Sequence, residues 1–361
     1  MKKINLLLII IPFLFTGCYD RAPIERTSIT VGIGQDLADN ETLSASFEFL
    51  VFQQGDLTSK EVITTTGKSI FEMYNKRLLI TKRRHLPGTI RLLIISEKRA
   101  KFGIEDIIDV FLRDQERELN TTVVVSKQKT EEILNLKSKD ATTMSEEIED
   151  LARSSFEANF TQRDTNIKDF FNMYFQDGRR IMIPYIEKYK DTVKISGIAV
   201  FEKDKMLLVI PEEDAKYVNL LRNDNSKGYL SFPKETSKSF DLFCSSRRKV
   251  KVDIEDDKVN YTIHVLIYAS IKEENSDEFD ELSKEQVEEL QTKYSNKLKE
   301  QLEEVIKKYQ SNYGIDIYDL QKYALAKLGK DKADEVEKQF QNSNINVEVK
   351  IKFLSTGRLF R

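Results

Sequence analysis

Between Val250 and Phe353 the apolar residues change spacing twice, and this restricts the fold more than any other feature of the chain. Val250, Val252 and Ile254 alternate with polar residues, Glu255-Asp256-Asp257-Lys258 is turn-like, and Val259, Tyr261, Ile263, Val265 and Ile267 alternate again. A period of two puts every second side chain on one face, so the segment predicts a long hairpin with one buried side. The spacing then lengthens. Ser283-Lys284-Glu285-Gln286 has the form of a capping box, and Val287, Leu290, Tyr294, Leu298, Leu302, Val305 and Tyr309 recur at helical intervals. Glu289 with Lys293, Glu303 with Lys307 and Glu304 with Lys308 stand in the favourable i,i+4 order. A second helix is expected over about 317–328, and Ile345, Val347, Val349, Ile351 and Phe353 close the region as a strand. The order ββααβ implies helices packed on one face of a mainly antiparallel sheet.

Upstream, strands alternate with helices. Ser28 to Gly34 and Leu43 to Phe52 read as strands, and Ser69-Ile70-Phe71-Glu72 starts a helix with Ile70, Met73, Tyr74 and Leu78 on one face. Thr89 to Ser96 and Thr121 to Ser126 read as strands on either side of an amphipathic helix from Ile104 to Glu116. Residues 128–176 turn helical, and Pro184 closes that region. A β-hairpin follows from Val193 through Phe201, a turn at Glu202 to Lys205, and Met206 to Ile210, and then 211–228 reads as a short helix and a Gly-containing loop. The chain of 361 residues has room for two or three domains at roughly 150 residues each. The expected fold class is α+β, or mixed α/β, in three domains: an N-terminal mixed α/β domain at 18–188, a small middle domain at 189–236 and a C-terminal ββααβ domain at 237–361.

The first 17 residues stand apart. Met1-Lys2-Lys3 is basic, and Ile4 to Phe15 is apolar but for Asn5 and Pro12, too short for the about 20 residues that span a bilayer. Residues 1–17 therefore read as a signal peptide. Phe15-Thr16-Gly17-Cys18 resembles a bacterial lipobox, with cleavage between Gly17 and Cys18 and a diacylglyceryl group on the Cys18 thiol. Two acyl chains anchor stably where one is marginal. The expected product is an exported, membrane-held lipoprotein.

Composition narrows the chemistry. Lys+Arg is 57 against 60 Asp+Glu, a net charge of −3, and so the chain lacks the basic excess of a nucleic-acid binder. With two Cys and two His, at Cys18, Cys244, His85 and His264, a closed zinc site is not expected, nor is any metal or other cofactor. Cys244, next to Leu242 and Phe243, reads as a buried free thiol. Gly32-Ile33-Gly34 could open a dinucleotide loop, but Leu37 occupies the third glycine's position, which leaves strand or bulge glycines. Thr81-Lys82-Arg83-Arg84-His85 is a compact basic cluster that would suit phosphate headgroups, an acidic partner or solvent. Ser245-Ser246 lacks a nucleophile elbow, His264 reads as the solvated side of a strand, and none of the carboxylate pairs is set apart, so no catalytic residue is assigned.

Several of these residues together carry a family resemblance. Gly17-Cys18-Tyr19-Asp20, Ile24-Glu25 and Val31-Gly32-Ile33-Gly34-Gln35-Asp36 resemble the mature start of the Ger(x)C spore germination lipoproteins, the C subunits of nutrient germinant receptors. Gly67, His85, Arg113-Asp114 and Val123 to Val125 are similar to the family's N-terminal domain, and Gly197 to Phe201 with Asp204-Lys205 to the opening of its middle domain. Tyr19 stands where the family typically has Trp, and Ala22-Pro23 where it has Arg-Glu. The resemblance implies a three-domain mixed α/β protein, lipid-anchored at the outer face of the spore inner membrane, acting with A and B membrane subunits in sensing nutrients. It brings no catalytic residues. A second reading is a solute-binding lipoprotein delivering a ligand to a transporter, although three unequal domains differ from two similar lobes around a cleft.

Overall fold

A computed structural model describes residues 27–52, 58–86, 90–113, 119–155, 158–161, 165–233, 239–256, 258–274 and 283–355. The signal peptide, the Gly17/Cys18 cleavage site, Asp20 and Asp114 lie outside the described residues.

Nine strands form the first sheet: β1 (Thr27–Leu37), β2 (Leu43–Phe52), β3 (Thr58–Gly67), β4 (Arg84–Leu86), β5 (Leu92–Ser96), β6 (Thr122–Ser126), β7 (Ile181–Tyr189), β8 (Thr192–Glu202) and β9 (Lys205–Pro211). The order is β3-β2-β1-β5-β6-β7-β8-β9, and β4 pairs with the start of β1 ahead of β5. β1, β5, β6 and β7 run parallel, and an antiparallel hairpin flanks them on each side. β5 and β6 are buried along their whole length, as parallel strands covered on both faces must be. One face packs on α1 (Ile70–Ile80), α2 (Glu97–Phe102), α3 (Glu105–Arg113) and α6 (Ile167–Tyr174) through Met73, Ala100, Ile107, Phe111 and Phe170. The other packs on α4 (Thr130–Leu134) and α5 (Met144–Ser154) through Ile133, Leu134, Met144 and Ile148.

The second sheet is β10-β11-β12-β13, made of Lys227–Pro233, Ser239–Glu255, Lys258–Glu274 and Ile345–Ser355. β11 and β12 form the expected hairpin, and on β12 Val259, Tyr261, Ile263, Val265 and Ile267 are all buried. β13 pairs with β12 in parallel, because α8 (Lys284–Tyr313), α9 (Gln321–Leu328) and α10 (Ala333–Phe340) carry the chain back across the sheet before it pairs. α8 begins with a reciprocal Ser283–Gln286 capping box. It packs through Tyr294, Leu298, Leu302, Val305, Ile306 and Tyr309. Its charges pair differently from the spacing: Lys308 meets Asp214 of α7 (Glu212–Arg222) at 2.5 Å, and Glu303 meets Lys299 at 3.6 Å.

The stretch expected as a middle domain, 189–236, is divided between the two sheets. β8 and β9 hydrogen-bond into the first sheet while β10 pairs with β11 of the second. One apolar cluster joins Ile198, Val200, Leu208 and Ile210 to Val218 and Leu221 of α7 and to Leu230, Leu242 and Val252. The core of the C-terminal half therefore starts inside the last strands of the first sheet.

Besides the three-residue β4, three strands lacked a readable signal. β3 carries Thr58, Thr64, Thr65 and Thr66 in place of apolar alternation, with a Ser46–Thr64 hydroxyl contact of 3.0 Å. β7 contains Pro184, which would be expelled from a strand paired on both sides. Its pairing to β6 begins only at Tyr185, so Pro184 sits where β8 is the sole paired neighbour. β10 reads as a loop because of Gly228, whose added Cβ would lie 2.5 Å from Phe160.

Candidate functional site

Residues Gly32, Gly34 and Asp36 share one side of β1, and β2 places Glu48 opposite Gly32. A Cβ on Gly32 would stand 1.8 Å from Ser145 Oγ; one on Gly34 would stand 2.1 Å from Thr130 Oγ1 and 2.4 Å from Thr130 Cβ. The missing side chains let the first residues of α4 and α5 lie directly on the strand. Both helix starts then meet a buried carboxylate. Asp36 accepts the Thr130 N–H at 3.0 Å and the Thr130 hydroxyl. Glu48 accepts the N–H groups of Met144 (2.9 Å) and Ser145 (2.8 Å) and the Ser145 hydroxyl (2.5 Å), with Lys60 Nζ at 3.5 Å. Helix N-termini attract anions, and here the protein supplies them itself. No space for a dinucleotide phosphate remains at Gly32-Ile33-Gly34, and the register shift between Thr30 and Gly32 fits the bulge reading.

The other resembling positions lie elsewhere. Gly67 precedes α1 where a Cβ would reach Met73 Cγ at 3.0 Å, and Gly197 passes Ile210 O so closely that a Cβ would lie 2.2 Å away. Phe201 is buried edge-on against Phe170, with ring centroids 6.4 Å apart. His85 pairs through its backbone with Ser28, and Arg113 is an exposed partner of Asp109 at 2.7 Å. These positions shape the fold at several points and do not converge on one pocket.

A convergent cluster lies where the two sheets meet. Asp319, 1% exposed, faces Arg179 (Nε 2.9 Å, Nη2 2.8 Å) and Arg222 (Nη1 2.9 Å to Oδ1), with Lys322 at 3.4 Å. Arg222 Nη1 donates to Ile317 O at 3.1 Å, so its contact with Asp319 is chiefly ionic, and its Nη2 donates to Arg180 O at 2.7 Å. Arg248 donates to Tyr318 O at 2.7 Å and lies over the Tyr323 ring. Asp316 accepts the N–H groups of Tyr318, Leu320 and Gln321 at 2.9, 2.6 and 2.7 Å, which holds the loop entering α9. Arg180 adds exposed-side pairs to Glu202 (3.0 Å) and Glu337. The cluster thus ties the turn between α6 and β7 to α7, β11 and α9. A cavity of about 60 Å³ adjoins it, lined by Asp169, Met173, Met182, Gly197, Asn219 and Arg222. That is room for a few waters, well below a ligand pocket of several hundred Å³. Sequence reading missed the cluster, yet β11 held a signal. Ser246 and Arg248 have the parity of Leu242, Cys244 and Val252, so they face the core.

Burial raises the pKa of both acids, and the neighbouring cations drive them apart. For Asp319 burial raises the pKa, but Arg222, Arg179 and Lys322 outweigh it and the net shift is downward. For Asp316 burial dominates, with Asp319 adding to it against the backbone N–H groups, and the pKa rises to about 6. A carboxyl whose folded pKa exceeds its unfolded value near 3.8 holds its proton longer in the native state, so its contribution to stability is greatest below the unfolded value and is lost as pH rises through 6. Between pH 4, just above the unfolded value, and pH 7 this amounts to about 2 kcal/mol. The destabilisation caused by Asp316→Ala should therefore be larger at pH 4 than at pH 7 by roughly that amount. Urea midpoints of both proteins across this range test it, and a pH-independent difference would refute the assignment.

The reactive residues are otherwise occupied. Cys244 is a buried free thiol, and burial pushes its pKa up to about 12, far from a thiolate nucleophile. Ser246 Oγ is buried 2.7 Å from Ser226 Oγ. His264 Nδ1 lies 2.8 Å from Glu348 on the outer side of β12, the solvated face expected for it. Among the described residues no group of three or more His, Cys, Asp or Glu could hold a metal ion, and no helix is long and apolar enough to cross a membrane.

Comparison with known proteins supplies the context for this arrangement. Residues 20–188 match the family model described as spore germination protein N-terminal domain, and residues 196–357 match that described as spore germination B3/GerAC like, C-terminal. The second match begins inside β8, close to where the shared core begins. Spore germination protein A3 of Bacillus subtilis (strain 168) is 23% identical over 294 residues, 77% of each chain. Spore germination protein GerQC of Bacillus cereus is 22% identical over 279 residues, 76% of each chain. The crystal structure of the GerBC protein superposes with a TM-score of 0.57 at 14% identity, over 92% of this chain and 100% of that one, which shows a shared mixed α/β fold. With both family models together spanning nearly all of its length, the chain belongs to the GerAC-like family of spore germination proteins.

Proposed function

We propose that this protein is the non-catalytic C subunit of a nutrient germinant receptor, lipid-anchored through Cys18 on the outer face of the spore inner membrane. There it assembles with A and B membrane subunits and is required for germinant-triggered germination. The observation that carries this reading is the back-to-back match of the two germination family models over 20–188 and 196–357. Supporting it, the buried Arg179, Arg222 and Asp319 at the sheet junction pair with one another beside a cavity of only about 60 Å³. Nothing in that junction favours the solute-binding alternative.

Two measurements test the proposal. Deleting the gene in a background without redundant receptors should abolish or strongly delay the response to at least one nutrient; normal germination in every nutrient tried would remove the receptor role. Cys18→Ala should move the protein out of the membrane fraction and eliminate acyl labelling. Unchanged labelling would remove the anchor.

A further inference from the structure

Helix α1 carries large apolar residues on its exposed side as well as on its buried one. Inward it buries Ile70, Met73 and Arg77, whose guanidinium lies 4.5 Å from the Tyr74 ring centroid and 4.9 Å from that of Phe47. Arg77 takes the inward place that spacing would give to Leu78 and so turns the neighbouring leucines outward. Phe71 is 74% exposed, Leu78 52%, Leu79 88% and Ile80 57%. Phe71, Asn75 and Leu78 follow one another on a helical stripe, with Leu79 beside them. Glu72 and Lys76 pair on the same exposed side, so the apolar part of it is the cluster of Phe71, Leu78, Leu79 and Ile80, and a group of large exposed apolar side chains marks an interaction surface. Exposed Lys82 and half-buried Arg83 follow it directly.

The strand pairing says what lies opposite. β4, immediately after this basic pair, runs parallel to the start of β1, with Thr27 beside Arg84 and Ser28 beside His85. Because the pairing is parallel, Thr27, the first residue of β1, lies at the end of β4 that is nearer to Arg83 and Lys82. Eight residues lie between Cys18 and Thr27, nine Cα steps with a reach of about 30 Å at full extension. The root of the tether, the basic pair and the apolar end of α1 are thus one place on the molecule.

We propose that this surface rests on the bilayer itself: Phe71, Leu78 and Leu79 enter the interface, and Lys82 and Arg83 contact anionic headgroups, so that α1 fixes the orientation of the tethered protein. The apolar residues match the acyl boundary and the cations match an anionic surface. The inference rests on the Cys18 anchor proposed above.

The test supplies the tether chemically. A chain starting at Cys18, which retains every described strand and helix, is coupled through that thiol to a maleimide lipid in vesicles of phosphatidylcholine and phosphatidylglycerol; buried Cys244 does not compete. The protein contains no tryptophan, so Leu79→Trp provides a unique reporter, with Tyr313→Trp on α8 as the control. Brominated lipid should quench the Leu79→Trp fluorescence at least twofold more than that of the control. Lys82→Glu with Arg83→Glu should remove most of the difference, since each cation near an anionic surface is worth about fivefold in binding. Equal quenching of the two reporters would overturn the proposal and assign the face to a protein partner. Because coupling does not depend on cellular lipidation, failure here is distinct from failure of the anchor, which acyl labelling of Cys18→Ala reads.

Discussion

Replacing Asp319 with alanine is expected to destabilise the protein by about 3–5 kcal/mol and to loosen the C-terminal half from the first sheet. The carboxylate is 1% exposed and is the shared counter-ion of Arg179 and Arg222, with Lys322 nearby. A buried ion pair stabilises little against a well-packed apolar replacement, because desolvation offsets the attraction. Removing one partner is different: it leaves charges in low dielectric with nothing to neutralise them. Here one substitution strands two guanidinium groups. Arg222 is the deeper, and burial already lowers its pKa, so its charged form is the more strained. Arg179→Ala should cost less, since Asp319 keeps Arg222 and Lys322 as counter-ions. Adding Arg222→Met to Asp319→Ala should recover part of the loss by removing the stranded cation. Urea unfolding gives the energies, and limited proteolysis between 189 and 240 reports the loosening. A loss below about 1 kcal/mol, or no recovery in the double variant, would show that the cluster does not join the halves. The pH direction is fixed as well. The net lowered pKa of Asp319 means that its contribution is complete above the unfolded value near 3.8 and is lost as pH falls through the folded value, opposite to Asp316.

This cluster marks the boundary of what periodicity reveals. The β11–β12 hairpin, α8 with its capping box, and β13 were legible because each hides one face and exposes the other, which writes a period into the sequence. β5 and β6 were legible as short apolar runs. β3, β7 and β10 were not: each is held in place by neighbours, which permits a threonine row, a proline and a glycine inside strands. The strands of the span expected as a middle domain, 189–236, are shared between the two sheets for a related reason. Spacing identifies the β8–β9 hairpin but cannot say which sheet it joins, and pairing with β7 assigns it to the first. Charged residues give no warning of burial by themselves. Only the strand parity of Arg248 pointed inward, and Arg222, Asp316 and Asp319 become a unit when helix α7 and the α9 loop meet.

The glycines of β1 give the second large effect, and the two should respond differently to rescue. At Gly34 a Cβ would lie 2.4 Å from Thr130 Cβ, an atom fixed by the backbone of α4, so even Gly34→Ala must push the helix off the strand by about 1 Å to restore ordinary contact. That movement also stretches the bonds from the Thr130 N–H and hydroxyl to Asp36, charge-assisted bonds worth about 1.5–3 kcal/mol each. A combined loss of about 3 kcal/mol or more is expected, and Thr130→Ala should not relieve it, because the clashing Cβ remains. At Gly32 the severe contact is with a hydroxyl, Ser145 Oγ at 1.8 Å, while Ser145 Cβ lies at 3.0 Å. Gly32→Ala should therefore be substantially rescued by Ser145→Ala, at the cost of one hydrogen bond to Glu48, which keeps the Met144 and Ser145 N–H groups. Denaturant midpoints of the four single and double variants decide between clash and ligand chemistry. If all these proteins kept wild-type stability and only a small-molecule response were lost, the glycine pair would belong to a binding loop. If stability falls and is recovered at Gly32 but not at Gly34, the residues that most resemble the family's opening motif serve to seat two helix N-termini on buried carboxylates.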